Sequence, residues 1–274
     1  MKTNLIFFLP EFIRGGAGNS ILSLCKNLNK NKYKIHIICL NKFNYKEEFK
    51  NLAKISILNA KKTIFSQNQI QKLILKISNN NCINTIFISN LFHANVLIGL
   101  FQKKFEKVKY VFVDRTSFNE LYTYFGFFDF IKKIIIRILI KFTYKNAILR
   151  IANSKKVSLD IENFTNLKCS YIYPGAFTKA KKKKMLKNKK KIFKNKLKIL
   201  WIGRLSEEKD CNELILALSK ITKKNYTLSI IGDGEKKNEI KKLIIEKKLQ
   251  KNVRLSGYKK NVFKLLQTSD LLIN

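Results

Sequence analysis

Residues 198–210 read KILWIGRLSEEKD: an apolar run, a single glycine, and then a polar segment. The run Lys198–Ile202 is typical of a β-strand that is buried on both faces. The following residues, Glu207–Ile221, have the apolar spacing of an amphipathic helix. A strand, a tight turn and a helix in this order form the repeating unit of a parallel α/β sheet.

Two cations lie in the turn of this unit, Arg204 and Lys209, next to Gly203. A guanidinium can bind two phosphate oxygens at once, and an ammonium adds a point charge, so the pair predicts a diphosphate-binding loop. Only 6 of the 56 basic residues are Arg, which makes each Arg more informative than a Lys. The alternative is an ordinary turn whose charged side chains are solvated.

The same alternation continues on both sides of this unit. The predicted strands are Leu5–Leu9, Lys34–Leu40, Lys54–Leu58, Ile83–Ser89, Lys107–Val113, Ala147–Asn153, Ser170–Tyr173, Lys198–Ile202, Thr227–Ile231, Asn252–Leu255 and Leu271–Asn274. The predicted helices are Ala17–Leu28, Gln67–Asn79, Ala94–Lys104, Asp129–Tyr144, Ser154–Phe164, Glu207–Ile221, Glu235–Lys247 and Asn261–Gln267. We therefore expect an α/β fold with two Rossmann-like, doubly wound parallel-sheet domains, the second of them incomplete.

A Lys-rich block separates the two series of strands. Residues 179–196 contain eleven Lys and no acidic residue, and such a block repels itself and stays solvated. We expect an N-terminal domain over 1–178, a linker over 179–196 and a partial C-terminal domain over 197–274.

Glycines follow other predicted strands at their carboxyl ends, where ligands bind in open α/β sheets. Gly15 and Gly16 open the first helix, and Gly232 and Gly234 follow the strand Thr227–Ile231. Consecutive glycines let a ligand approach the backbone, and the amides of a helix start favour an anion. Neither stretch has the G-x-G-x-x-G spacing of a dinucleotide fingerprint, and plain turns are the alternative for both.

Polar residues at two further strand ends are candidates for contact with a second substrate. His93 follows the fourth predicted strand, and Asp114 and Arg115 follow the fifth. His93 could instead cap the start of a helix. The only other histidine, His36, lies in an apolar strand and is expected in the core or at a sheet edge.

The net charge of +38 first suggests nucleic acid or an anionic membrane as a partner. A strong AT bias in the coding DNA would also give this excess of Lys, Asn and Ile. A content of 46% apolar residues excludes disorder over most of the chain. The five Cys are scattered without a C-x-x-C pair, which is typical of reduced thiols in a cytosolic protein. No run of 18 uncharged apolar residues is present to span a membrane.

The segment Phe125–Leu149 combines basic and large apolar residues at helical spacing. Its basic residues are Lys132, Lys133, Arg137 and Lys141, among many Phe and Ile. We expect it to lie on an anionic membrane surface, against the alternative of a core helix with one solvated stripe.

Taken in order, the motifs resemble the family-4 glycosyltransferases of the GT-B fold. The matching elements are GGAG, ANSKKVSLDI with Asn153 and Ser154, YPGAF at Tyr173–Phe177, WIGRLSEEKD, IIGDGE and NVRLSGYKKNVFKLLQTSDLLI. Two departures occur: Asp210 stands where the family usually has Gly, and the chain ends before the family's Glu-x7-Glu motif.

The resemblance implies transfer of a sugar from a nucleotide-sugar donor to an envelope or lipid-linked glycan, with retention at the anomeric carbon. Arg204 and Lys209 would neutralise the departing diphosphate, with no metal and no cofactor. Gly15, Gly16 and Gly203 would approach the donor, and Gly232 and Gly234 would border the nucleoside.

On the acceptor side, many family members carry a His just after the fifth strand, where Asp114 and Arg115 stand here and could replace it; His93, after the fourth strand, remains a candidate from its position. The resemblance implies a cytoplasmic protein, peripheral at the inner face of the membrane, with no specific nucleic-acid partner. The alternatives are an inactive transferase remnant, marginally stable and prone to aggregate, and a basic nucleic-acid-binding protein. The second is disfavoured because no nucleic-acid-binding motif is seen.

Overall fold

The computed structural model describes residues 2–78, 84–124, 126–175, 196–222, 225–259 and 261–273. The chain divides into two compact units, Met1–Ala176 (unit 1) and Phe177–Asn274 (unit 2). Nearly all of the predicted linker lies outside the described residues, so the predicted domain boundaries stay a prediction.

Unit 1 is built on a seven-stranded parallel sheet in the order β3-β2-β1-β4-β5-β6-β7. Its strands are β1 Thr3–Phe8, β2 Tyr33–Cys39, β3 Lys54–Ile57, β4 Thr85–Asn90, β5 Val108–Asp114, β6 Leu149–Ala152 and β7 Ser170–Tyr171. The central strands are rich in Ile, Phe and Val and are buried on both faces, as a parallel sheet covered by helices requires.

The helices of unit 1 cover the sheet unequally. They are α1 Gly16–Asn27, α2 Lys46–Phe49, α3 Gln67–Ser78, α4 Phe92–Phe101, α5 Phe127–Thr143 and α6 Lys155–Thr165. α1 and α2 pack with β1 and β2 in one apolar core, whereas α3 to α6 pack against the other face in a second core.

Unit 2 contains a four-stranded parallel sheet in the order β10-β9-β8-β11. Its strands are β8 Leu197–Ile202, β9 Tyr226–Ile231, β10 Val253–Leu255 and β11 Leu271–Ile273, and its helices are α7 Cys211–Ser219, α8 Lys237–Glu246 and α9 Phe263–Thr268. Trp201 and Leu228 are buried in a core that β8, β9, β10, α7 and α8 share, whereas α9 contributes no buried residue.

The α/β fold class with two parallel sheets is confirmed, and two local differences have clear causes. The helix predicted from Glu207 begins only at Cys211, because Asp210 adopts a left-handed conformation and caps it by accepting from the Glu213 amide. The four-residue helix α2 was not predicted, because a segment that short has too few residues to show a periodicity.

Candidate functional site

Three polar residues meet where β4, β5 and β6 end in unit 1. Asn90, the last residue of β4, accepts hydrogen bonds from Arg115 Nε at 3.3 Å and Nη2 at 3.1 Å. The Asn90 amide nitrogen in turn donates to the carbonyl of Phe8 at the end of β1. Asn153, just after β6, donates to the backbone carbonyl of Arg115 at 2.8 Å. Four neighbouring strand ends therefore fix the position of one guanidinium.

This guanidinium lies in a groove of about 410 Å³ on the sheet face beside α1. The groove floor is apolar and includes Ile88, Val113 and Ile151, while Ser20 and Ser23 of α1 contribute hydroxyls. Among the residues that the structure describes, the groove thus combines an apolar surface with one cationic side chain.

Arg115 has no ion-pair partner among the residues that the structure describes. Burial lowers the pKa of its guanidinium, which shows that the charge has lost part of its hydration. Arg14, in contrast, is paired with Glu48 at 3.0 Å and lies over the ring of Tyr45. A half-buried cation without a counter-charge is typical of an anion-binding site.

Asp114 does not line this groove, which corrects its predicted place beside Arg115. Its carboxylate is 1% exposed and lies behind the sheet, where Asn95 and the Tyr144 hydroxyl donate to it at 3.1 and 3.0 Å. Burial raises the pKa of Asp114 to about 7, even though both hydrogen bonds favour the charged form. The residue is a buried part of the fold and cannot reach a ligand in the groove.

His93 is exposed on the first turn of α4 and does not line the groove either. Its ring packs edge-on against Phe92, with the ring centres 4.6 Å apart. Loss of hydration, followed by the charge of Lys132, lowers the pKa of the imidazole. Lys132 belongs to α5, so His93 faces that helix.

The glycine turn before α1 is held by a tyrosine. The Tyr45 hydroxyl accepts from the Gly15 amide at 3.2 Å and donates to the Asn19 side chain at 2.9 Å. A Cβ on Gly18 would lie 2.6 Å from the Tyr45 ring, whereas Gly15 and Gly16 face open space. Gly18 is therefore required by packing, and the space in front of Gly15 and Gly16 is open to a ligand.

In unit 2, Arg204 and Lys209 are both exposed in the loop between β8 and α7. Neither side chain forms a hydrogen bond or ion pair with any part of the chain that the structure describes. Their neighbour Glu207 is engaged elsewhere, by Lys236 at 2.6 Å. The loop therefore presents two unpaired cationic side chains to solvent, next to the exposed acidic Glu208 and Asp210.

Three glycines hold this loop against the loop that follows β9. A Cβ on Gly232 would collide with the carbonyl oxygen of Gly203, and one on Gly234 with that of Leu205. Backbone hydrogen bonds join the same loops, from Gly203 to Ile231 and from Leu205 to the carbonyl of Asp233, both at 3.1 Å. The absence of side chains at these glycines thus allows the two loop backbones to pack in direct contact. The predicted contact of the glycines with a nucleotide-sugar donor stays a prediction.

Within the described ranges, no group of three or more His, Cys, Asp or Glu side chains could hold a metal ion. The same residues include no helix that is long and apolar enough to cross a bilayer.

The sequence of unit 2 matches a known protein family. Residues 182–274 match the family described as Glycosyl transferases group 1. The match covers about a third of the chain. The paired cations of Arg204 and Lys209 and the glycines at 203, 232 and 234 all lie within it.

Two curated relatives of the chain are themselves named glycosyltransferases. An uncharacterized glycosyltransferase of Methanocaldococcus jannaschii is 45% identical over 74 residues, which cover 26% of this chain and 18% of that protein. The second relative, from Campylobacter jejuni, is N-acetylgalactosamine-N,N'-diacetylbacillosaminyl-diphospho-undecaprenol 4-alpha-N-acetylgalactosaminyltransferase. It is 28% identical over 278 residues, which cover 94% of this chain and 70% of that protein.

The fold is shared with solved structures over nearly the whole chain. The crystal structure of HepE from Anabaena, in complex with UDP and glucose, aligns with a TM-score of 0.71 at 17% identity. The alignment covers 98% of this chain and 73% of HepE. The predicted resemblance to GT-B glycosyltransferases is confirmed, whereas membership of family 4 and retention stay predictions.

Sequence reasoning missed two residues that position the site, Asn90 and Tyr45. Asn90 ends a strand, where its side chain could equally have been solvated. Tyr45 lies 30 residues from the turn that it holds. Nothing in the local pattern around Tyr45 indicates this contact, which exists only because α2 packs beside α1.

Proposed function

We propose that the protein transfers a sugar from a nucleotide-sugar donor to a lipid-linked or envelope glycan, with retention at the anomeric carbon. The observation that carries the proposal is the pair of exposed, unpaired cations, Arg204 and Lys209, in the first loop of the segment that matches the glycosyltransferase group 1 family. HepE, which has the same fold, binds UDP and glucose, and this supports a nucleotide-sugar as the donor class.

The two cations act on the leaving group. As the glycosidic bond to the nucleotide breaks, negative charge accumulates on the diphosphate. The Arg204 guanidinium can bind two of its oxygens, while the Lys209 ammonium adds a second positive charge. This stabilisation of the departing diphosphate requires no metal ion from the protein.

Arg115 acts on the acceptor. It is the cation in the groove of unit 1, and burial has removed part of the hydration of its guanidinium. A phosphate bound in the groove would supply the counter-charge that the guanidinium lacks there. The Campylobacter relative is named for a diphospho-undecaprenol-linked acceptor. An acceptor that carries phosphate would therefore suit this groove.

Helix α5 holds the protein on an anionic membrane at the cytoplasmic face. Its exposed apolar side chains Phe128, Ile131, Ile135, Ile138 and Phe142 recur every three or four residues and so form one stripe. Lys132 and Lys141 are exposed on the same helix. An apolar stripe with exposed cations is the pattern of a helix that lies in a lipid interface.

The four basic residues of α5 that were predicted to contact the membrane differ in their surroundings. Lys133 pairs with Asp129 at 2.8 Å and donates to the carbonyl of Thr123, and its side chain is only 16% exposed. Arg137 lies over the Tyr122 ring at 4.7 Å and Lys141 over the Phe164 ring at 5.5 Å. Lys133 is therefore engaged within the chain, and we leave it out of the proposed lipid-facing set.

Donor binding tests the proposal directly. In isothermal titration calorimetry with UDP, we expect Arg204→Ala with Lys209→Ala to weaken binding at least tenfold, because two charge-assisted contacts are lost (about 1.5–3 kcal/mol each). The matched control is Arg254→Ala with Lys251→Ala, which removes the same two residue types from an exposed strand start in the same unit. Equal affinities for the two double variants would overturn the assignment.

Transfer itself is measured with radiolabelled UDP-sugars and a polyprenyl-diphosphate-linked saccharide. We expect a labelled lipid product from the wild-type chain and none from the Arg204/Lys209 variant. Donor binding without any transfer would support the alternative, an inactive transferase remnant.

A further inference from the structure

A second polar cavity lies at the opposite end of the strands in unit 1. It has a volume of about 420 Å³ and is lined by residues of β1, β2, β3 and α3. Its lining comes from within the first four residues of each strand and from the second half of α3, whereas the Arg115 groove reaches the ends of β4 to β6. Nothing in the glycosyltransferase proposal uses this cavity.

Strand register explains how the cavity is formed. Asn4 is paired with Lys34, and His36 with Lys54, across neighbouring parallel strands. Residues two apart on a strand share a face, so Lys34 and His36 point to the same side. Lys76 of α3 lies on the wall of this cavity.

The lining is positively charged without compensation. Lys34, Lys54 and Lys76 all line the cavity, and none of the four contributing elements contains an Asp or Glu. The carbonyl of Ile77 at the end of α3 is already occupied by the Asn4 amide at 3.2 Å.

His36 is the buried member of the lining. The residue is 7% exposed, and its Nε2 has no hydrogen-bond partner among the described residues. Burial, and then the charges of Lys34 and Lys54, lower its pKa to about 4, so the ring is neutral at pH 7 while the cavity is empty. A buried polar atom without a partner carries a free-energy cost that a bound ligand can remove.

We propose that this cavity binds a phosphate-bearing anion through Lys34, Lys54 and Lys76, with His36 as a buried donor. A bound anion offsets the lysine charges around the imidazole and so raises the pKa of His36, while the Nε2–H of the ring donates to the anion. The groups facing His36 are Lys34 from β2, Lys54 from β3, Lys76 from α3 and the uncharged Asn4 from β1. Anion binding is therefore coupled to proton uptake at His36.

The test uses the full chain with Arg115→Gln, Arg204→Ala, Lys209→Ala and His93→Gln, so that the cations of the two other proposed phosphate sites are removed and His36 is the single histidine. Pyrophosphate is titrated into this protein and followed by calorimetry and by the His36 imidazole NMR signals. We expect saturable binding and a rise of the His36 pKa by at least one unit. Unmoved His36 signals at saturating pyrophosphate would overturn the proposal.

A charge-matched pair of variants separates the cavity from the general positive charge. Lys34→Gln, Lys54→Gln and Lys76→Gln should weaken pyrophosphate binding at least tenfold. A control with Lys26→Gln, Lys103→Gln and Lys109→Gln removes three exposed lysines of unit 1 that do not line the cavity and should bind like the parent. An equal loss of pyrophosphate affinity in both variants would mean that the anion is attracted by the net charge of the protein, and this result would refute the site.

Two probes distinguish the sources of the anion. Tighter binding of pyrophosphate than of glycerol 3-phosphate supports a free diphosphate as the ligand. The reverse order supports a phospholipid headgroup in the same cavity. In either case the triple Lys variant and the His36 signals, which do not depend on donor binding or transfer, report on this site alone.

Discussion

Asp114 and Arg115 are adjacent in sequence but lie in different environments. Asp114 ends β5 and faces the core formed with α4 and α5, whereas Arg115 lies in the groove on the other side of the sheet. The sequence predicted that polar residues follow β5, because strand ends are readily located. Which of the two is buried depends on where the strand ends, and a shift of one residue exchanges the two faces.

Replacing Asp114 by Asn tests the consequence for stability. In the folded state the pKa of Asp114 is raised to about 7 from an ordinary value of 3.8, so the folded protein binds the proton more tightly than the unfolded chain. Its contribution to stability is therefore fully present below about pH 4 and is lost as the pH rises through 7. We expect the free energy of unfolding of the wild type to fall relative to Asp114→Asn over this interval, by on the order of 4 kcal/mol.

Urea unfolding at several pH values between 4 and 8 gives this difference. Comparing the two proteins at each pH cancels the contributions of other titrating groups, His36 included. A difference that does not change with pH would show that Asp114 is not protonated more readily in the folded protein.

Helix α5 shows what a periodic pattern predicts and what it does not. The predicted helix Asp129–Tyr144 agrees with the observed Phe127–Thr143 to within two residues, because apolar residues recur at helical spacing throughout. The i,i+4 spacing of Asp129 and Lys133 is readable from the sequence. The pattern could not reveal that Lys133 also donates to the carbonyl of Thr123 or that Arg137 rests on Tyr122. Those two contacts depend on the segment before α5, which folds back along the helix.

The apolar stripe of α5 is tested by co-sedimentation with vesicles containing phosphatidylglycerol. Each large apolar side chain that enters the interface contributes about 1.5–3 kcal/mol if fully buried. Changing Phe128, Ile135 and Phe142 to Ser should therefore reduce membrane binding more than tenfold. The control changes Ile64 and Phe65, which are also exposed in unit 1 but lie outside α5, to Ser. If the control loses as much binding as the stripe variant, α5 is not the membrane contact.

The net charge of +38 acts on the molecule as a whole. Repulsion between like charges destabilises a compact chain, and salt screens it over a Debye length of about 10 Å at 0.1 M. We expect the melting temperature to rise as sodium chloride increases from 0.02 to 0.3 M. If screening raises the free energy of unfolding by about 1 kcal/mol, the melting temperature rises by about 2–4 °C for a chain of this size.

Potassium chloride at equal ionic strength should give the same rise, because screening does not depend on the identity of the salt. A rise with sodium phosphate but with neither chloride would indicate bound anions in place of screening. A melting temperature that falls with chloride would show that attractive ion pairs outweigh the repulsion.

At the scale of the whole chain, the order of strands and helices was predicted well because each parallel strand forms one short apolar run. The His36 cavity of unit 1 was not predicted, and of the Arg115 groove the sequence indicated only Arg115 at a strand end. Each takes residues from at least three strands and a helix, and the sequence does not show which of these elements become neighbours. Registers such as His36 opposite Lys54 exist only once β2 and β3 have paired.

The backbone contact between Gly203 and Gly232 restricts how this protein could be re-engineered for a new donor. A combinatorial library that randomises all positions of the two loops would consist mainly of unfolded members, since any side chain at Gly232 or Gly234 meets a carbonyl oxygen. Diversity placed at the exposed Glu208 and Glu235, with the three glycines kept, leaves that contact intact. In such a library, loss of activity reports on substrate recognition instead of on misfolding.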